Sequence, residues 1–156
     1  MSLGAIVLGT IKPVVVRYCR ARIGRRDGSF AVADLVARES LYAVLRALPE
    51  GDEPLLAVTY RIAAELVDEE LDGAAGCPDS QLDVAALPVG EREVIVLRVL
   101  CGLTAEQTAE ATGNAPSAVR LLQHRALEKL RKAAQVDGHV TRFGHGPVME
   151  TLSERG

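Results

Sequence analysis

"GLTAEQTAEATGNAPSAVRLLQHRALEKLR", residues 102–131, reads as two helices around a tight turn. Gly102 ends a preceding apolar helix over Glu91–Leu100, which carries Val94, Ile95, Leu97 and Leu100 on one face. Thr104 followed by Gln107 matches a capping box, in which the hydroxyl accepts from a first-turn N–H and the amide reaches back to the cap. The helix so started runs to about Ala111. Thr112 and Gly113 turn the chain, glycine being free to take positive φ. Asn114 or Ala115 then caps a helix whose first turn tolerates Pro116.

The second helix is long, with Val119, Leu122, Ala126, Leu130 and Ala133 at helical spacing inside and Ser117, Arg120, His124 and Arg125 outside. Lys129, Arg131 and Lys132 extend the basic face. A helix in a DNA major groove needs short polar or guanidinium groups near its N-terminus for base edges and cations along its flanks for phosphates. This spacing supplies both. A solvated hairpin kept soluble by its charges is the plain alternative, and the turn, the cap and the one-sided charge together favour DNA.

The remainder of the 156 residues fits around this module. Hydrophobic residues make up 48% of the chain, enough for modest helical cores, whereas 3% aromatics without tryptophan argue against a β-sandwich or a stacking-rich surface. Helical periodicity recurs over Ala33–Leu48 and Leu55–Leu71, and a further helix is expected over Pro13–Ile23 with Pro13 near its first turn. "LDGAAGCPDSQLDVAA", 71–86, lacks periodicity and is rich in Gly, Pro, Asp and Ser, so a linker over 73–86 divides a domain at 1–72 from one at 87–134. Residues 135–156 read as a disordered tail. No run reaches the length of a membrane span, and the opening apolar stretch, broken by Pro13, lacks the basic start and cleavage pattern of a signal peptide.

Cys19, Cys77 and Cys101 have neither zinc-like nor disulfide-framework spacing and read as reduced thiols. His139 and His145 have no companion ligands, so no metal site is expected. No carboxylate pair, nucleophile–base set or phosphate-cradling loop is visible, which points away from an enzyme and from a cofactor. Charge is arranged in blocks: eight basic against three acidic residues over 1–48, one against ten over 49–87, five against one over 115–135. The local fields therefore say more about partners than the net charge of -3 does.

"LPVGEREVIVLRVLCGLTAEQTAEATGNAPSAVRLLQHRALEKLR" resembles the C-terminal, minus-35-reading domain of bacterial sigma factors of the sigma-70 family, extracytoplasmic-function (ECF) group. Leu87-Pro88, Glu91-Arg92-Glu93, Gly102-Leu103-Thr104, Glu106, Ala109 and His124-Arg125-Ala126 carry the resemblance. LuxR-type response-regulator domains share the "ERE…GLT" opening, but the "QHRAL" ending favours sigma. So do "IKPVVVRYCRARIG", "ADLVARESLYAVLRALP" and "LLAVTYRIAAELVDEEL", which are similar in order to the three helices of the sigma domain that grips RNA polymerase and opens the minus-10 element. Relative to the family, the N-terminus is shorter by a helix turn or two.

The resemblance implies an all-α fold of two small helical domains: a three-helix sigma region 2-like unit and a helix-turn-helix, winged-helix-like but without strands. It implies promoter DNA and core RNA polymerase as partners, leaves room for an anti-sigma factor, and sets the protein in the cytoplasm, off the membrane. Carried over residue by residue, it places Ser117, Arg120, Gln123, His124 and Arg125 at or near the minus-35 DNA, with Asn114 and Lys129 beside them and Thr104 and Gln107 at a phosphate-contacting helix start. Leu121 shares the side of Arg125, where many relatives have a polar residue.

The front half departs from the family. In the core-binding motif Leu35 replaces a carboxylate and Arg38 a glutamine, leaving Asp34 and Glu39 as candidate polymerase contacts. The loop "PEGDEPLLAV" holds no aromatic to stack an extruded base. Tyr60 reads best as a partly buried core tyrosine. Glu65, Asp68, Glu69, Glu70 and Asp72 stand where relatives carry cations along the promoter strand and would repel phosphates. The leading reading is promoter recognition and polymerase recruitment. A degenerate paralogue, or an acidic DNA mimic that regulates another sigma factor, remains as the alternative.

Overall fold

The computed structural model describes residues 2–48, 51–72 and 84–145, the side chains of 137–145 excepted. Among the described residues every regular element is helical: α1 (Leu3–Ile23), α2 (Ala31–Ala47), α3 (Leu55–Leu71), a short 3-10 turn at Val84–Ala86, α4 (Val89–Ile95) continuing into a π-helical turn at Val96–Leu100, α5 (Ala105–Thr112) and α6 (Pro116–His145).

α1 starts ten residues before the expected Pro13, because Ser2 caps it by accepting from the Ala5 N–H at 3.1 Å. Pro13 consequently sits inside the helix, where it removes the bond to the Gly9 carbonyl. Burial explains why the helix continues through it: Ile11 already belongs to the face that buries Val15, Tyr18, Cys19, Arg22 and Ile23, so starting the helix at Pro13 would leave Ile11 out of register. Asp27 and Gly28, both at positive φ, reverse the chain, and Arg26 and Ser29 exchange two backbone hydrogen bonds across the turn. Ser29 then accepts from Ala31 N at 3.0 Å and starts α2 two residues earlier than the periodicity suggested.

α1, α2 and α3 pack as a three-helix unit through Val15, Cys19, Ala33, Ala37, Val44, Val58, Ala63 and Val67, all buried. The helix-turn-helix has a small core of its own, Val94, Ala105, Ala109 and Val119 with Leu122 against it. The larger core does not stop at the first unit. Ile95, Val96, Leu97, Cys101, Leu103, Ala111 and Ala126 are continuous with it. α5 packs on α3, and the π-helical turn packs on α1. Of the expected linker, residues 73–83, Cys77 among them, lie outside the described residues, while Val84–Ala86 form the 3-10 turn and bury Val84.

α6 continues to His145, past the expected end at 134. Ala133, Ala134 and Gln135 are strong helix formers, and a single interior Gly138 costs only about 1 kcal/mol. Residues 146–156 of the expected tail lie outside the described residues, as do the side chains of His139 and His145. Among the described residues no helix is long and apolar enough to cross a membrane, and no three His, Cys, Asp or Glu side chains gather as a metal site.

Candidate nucleic-acid interface

The capping box at α5 is complete: Gln107 N–H donates to Thr104 Oγ1 at 3.0 Å and Thr104 N–H to Gln107 Oε1 at 2.9 Å. Both side chains are thus spent on the helix start, where Thr104, Glu106 and Gln107 stay exposed. Gly113 ends α5 in the left-handed region at φ 79°, and Asn114 braces the turn by donating to Thr112 Oγ1 at 3.0 Å. Ala115 accepts the first α6 bond, from Val119 N, which puts Pro116 at the position where a missing N–H costs nothing.

α6 buries Val119 and Ala126 and turns outward Ser117, Arg120, Leu121, His124 and Arg125, all exposed. Two of the residues expected at DNA are engaged elsewhere. Gln123 is half-buried and accepts from Arg98 Nε at 2.8 Å, while Arg98 Nη1 donates to the Leu103 carbonyl at 2.7 Å. Arg98 thereby closes the π-helical turn, where Cys101 N–H reaches back to Val96 O, and ties it to α6. Lys129 Nζ lies 3.0 Å from Oε2 of buried Glu91 and pins α6 to α4.

Arg120 is exposed and pairs across to Glu106 at 2.8 Å. The Glu106 carboxyl, held first by its own backbone N–H and then by Arg120, lies below the usual carboxylate range. His124 sits 4.0 Å from Glu128, whose closer partner is Arg131 at 2.8 Å. Among the described residues Arg125 has no acidic partner, so its guanidinium faces solvent uncommitted.

The basic flank of α1 behaves differently. Arg22, 2% exposed, donates to Tyr18 Oη at 2.8 Å, to Glu93 Oε2 at 3.2 Å and to Asp68 Oδ1 at 3.2 Å. Glu93 is also buried, and accepts from Tyr18 and Tyr60 hydroxyls at 2.5 and 2.7 Å and from Arg92 Nε at 2.9 Å. The tyrosine rings meet edge to face with centroids 5.7 Å apart. Burial first, and then the Glu93 charge, push both phenols well above their ordinary range. One carboxylate of the helix-turn-helix half is therefore satisfied almost wholly by the front half. Tyr60 is the half-buried core tyrosine expected, with the added task of meeting Glu93.

Two acids of the α3 end also find cations: Asp68 faces Arg22, and Glu70 lies 3.2 Å from Arg26. Glu65, Glu69 and Asp72 remain exposed. Asp34 is gripped by Arg20 through two 2.8 Å bonds, which hold its carboxyl below the usual range. Glu39 is exposed, five residues along α2 and so roughly 140° around it. The helix does not bring the two candidate polymerase contacts onto one face.

A three-helix unit joined to a helix-turn-helix whose capped first helix leads into a long second helix with a basic face toward solvent defines the class: an all-helical DNA-binding transcription protein. Residues 84–132 match the family "Sigma-70, region 4". The ECF RNA polymerase sigma factor SigD of Mycobacterium tuberculosis is 38% identical, over 80% of this chain and 74% of its own length. The ECF RNA polymerase sigma factor ShbA of Streptomyces griseus is 33% identical, over 83% and 86%. The solved structure of CnrH in complex with the cytosolic domain of CnrY superposes with a TM-score of 0.65 at 21% identity, covering 86% of this chain and 88% of that one, and shares the fold. The chain belongs to the ECF RNA polymerase sigma factors. Its function is accordingly promoter recognition and recruitment of RNA polymerase.

Proposed function

We propose that α6 enters the major groove of the minus-35 element and that Ser117, Arg120, His124 and Arg125 face its base edges, the protein acting by binding and not by catalysis, in the cytoplasm. The observation that carries this is the uncommitted Arg125 on an exposed basic face about two and a half turns from the start of α6. Arg120 is held toward the same groove by Glu106 and exchanges that exposed carboxylate for a base or phosphate on binding. The N-terminus of α5, with Thr104 and Gln107, faces the backbone phosphates with the positive end of its helix dipole. Asn114 fixes the angle between the two helices. Gln123 and Lys129, though first expected at DNA, act as braces through Arg98 and Glu91.

Asp34 borders a groove of about 590 Å³ between α1 and α2, lined by Leu8, Val16, Ala37 and Leu41 and ringed by Lys12, Arg20 and Arg38. Core polymerase docks there, with Glu39 a peripheral contact. An anti-sigma factor is a further partner; CnrH, which shares this fold, is in complex with the cytosolic domain of CnrY. The acidic DNA-mimic reading loses support because Asp68 and Glu70 are paired within the chain.

The test is promoter binding and run-off transcription by the full chain with core polymerase. Arg125→Ala lowers promoter affinity by about 5- to 100-fold with core binding unchanged. Asp34→Ala lowers core affinity with the same promoter preference. Full transcription from Arg125→Ala would overturn the placement of α6.

A further inference from the structure

The charged face of α6 exposes two leucines, Leu127 towards its C-terminal part and Leu121 among the residues set against base edges. Leu121 is 48% exposed, and at 100° per residue it lies within 40° of both Ser117 and Arg125, one turn from each. Val119, Leu122 and Ala126 face inward and supply the contacts of this helix with α4 and α5. An exposed leucine is by itself ordinary on a protein surface. Its neighbours here are not ordinary: Arg120, His124, Arg125 and Ser117 surround it with hydrogen-bonding groups, on the stretch that faces base edges when α6 enters the groove.

We infer that Leu121 is a specificity-determining residue that reads the C5-methyl group of a thymine in the minus-35 element, an inference that rests on α6 entering the major groove. The methyl is the apolar group that a base edge offers in that groove, beside the N7, O6 and O4 acceptors and the N4 and N6 donors. Arg120, Arg125 and Ser117 satisfy acceptors. Leucine satisfies none, so it gains only where it covers a methyl. Against a cytosine amino group or a purine N7 it would bury a polar edge without a partner, and that position is then disfavoured. Leu121 thus selects twice, by contact with thymine and by the desolvation it imposes on the other bases.

The probe is a pool of duplexes with a randomised block, selected by the full chain in complex with core polymerase. In the selected duplex each thymine is then replaced in turn by deoxyuridine, which keeps base pairing and removes the methyl alone. At one position the swap weakens binding by about fourfold, the equivalent of one buried methylene. Leu121→Ala weakens the thymine duplex by a similar factor, leaves the deoxyuridine duplex unchanged and abolishes the effect of the swap. Truncating the half-exposed Leu121 removes little packing from the folded chain, and unchanged circular dichroism checks this.

Selection of a sequence with no deoxyuridine-sensitive thymine overturns the inference and leaves the placement of α6 standing. So does a swap effect that survives in Leu121→Ala. Tighter binding of both duplexes by Leu121→Ser, equal in size, also overturns it, because Leu121 would then merely weaken the site. Failure to enrich any sequence overturns the promoter-reading role of α6 itself, and this inference with it.

Discussion

The arginines of α1 and those of α6 are the same residue in opposite employment. On α1, Arg20 is clamped by Asp34 and Arg22 is buried against Tyr18, Glu93 and Asp68, and in the turn that follows Arg26 meets Glu70. On α6, Arg120 holds one exposed carboxylate and Arg125 holds none among the described residues. A block count of basic residues treats the two helices alike. What separates them is whether carboxylates lie within reach in the fold, and this decides whether a guanidinium glues the protein or waits for a ligand.

Breaking the glue gives the largest effect. Arg22→Ala takes from buried Glu93 one of its two cations, leaving Arg92, and removes the bonds to Tyr18 and Asp68; it costs ~3 kcal/mol, read as a lower denaturation midpoint of the whole chain. A loss below ~1 kcal/mol would mean that the tyrosine hydroxyls and Arg92 suffice for Glu93, and the contrast with α6 would narrow. Next in size is Arg125→Ala, which costs ~1–3 kcal/mol of promoter affinity at an unchanged denaturation midpoint. A stability loss there would show that Arg125 is also structural.

Thr104→Ala removes one half of the capping box and costs ~1 kcal/mol of stability, with a smaller loss of promoter affinity as the α5 start frays. The smallest effect belongs to Glu106→Gln. It releases Arg120 and removes a negative charge from the DNA face, so promoter affinity rises modestly at low salt, the gain shrinking as salt is added, while the melting temperature at neutral pH falls slightly because the depressed carboxyl contributes there.

The thiols offer an independent check on the shared core. Burial pushes Cys19 and Cys101 each up to about 12, so in a Cys77→Ser chain at pH 8 neither is alkylated until the protein unfolds. A folded-state pKa raised above the unfolded value favours the folded chain at low and neutral pH. That contribution declines as pH rises past the unfolded thiol value of about 8.5.

Local signals were the legible ones. Leu55–Leu71 is bounded as its periodicity predicts, and the Thr104–Gln107 box and the Gly113 turn need only residues within a few positions of one another. Pro13 misled because a cap at Ser2 and a buried Ile11 outweigh one missing hydrogen bond. Glu93 was read as part of a family motif and nothing more, since its partners Tyr18 and Tyr60 lie 75 and 33 residues away. A carboxylate between Arg92 and the apolar run from Val94 to Leu97 was the available hint: such a charge is either at a helix face in water or paired inside. Gln123 and Lys129 look outward on a helical wheel, and only the fold brings Arg98 and Glu91 to them.

The core shared through Glu93, Ile95, Val96, Leu97 and Cys101 also decides how the molecule comes apart. Helix-turn-helix units are commonly handled as portable parts, yet cutting this chain between Asp72 and Val84 would expose the apolar wall of Val96, Leu97, Leu103 and Ala111 to water and would leave Tyr18 and Tyr60 without their acceptor. Heating the intact protein should therefore give one calorimetric transition, with calorimetric and van't Hoff enthalpies equal. The slowest-exchanging amides should fall on both sides of the join, in α1 and in α4 alike.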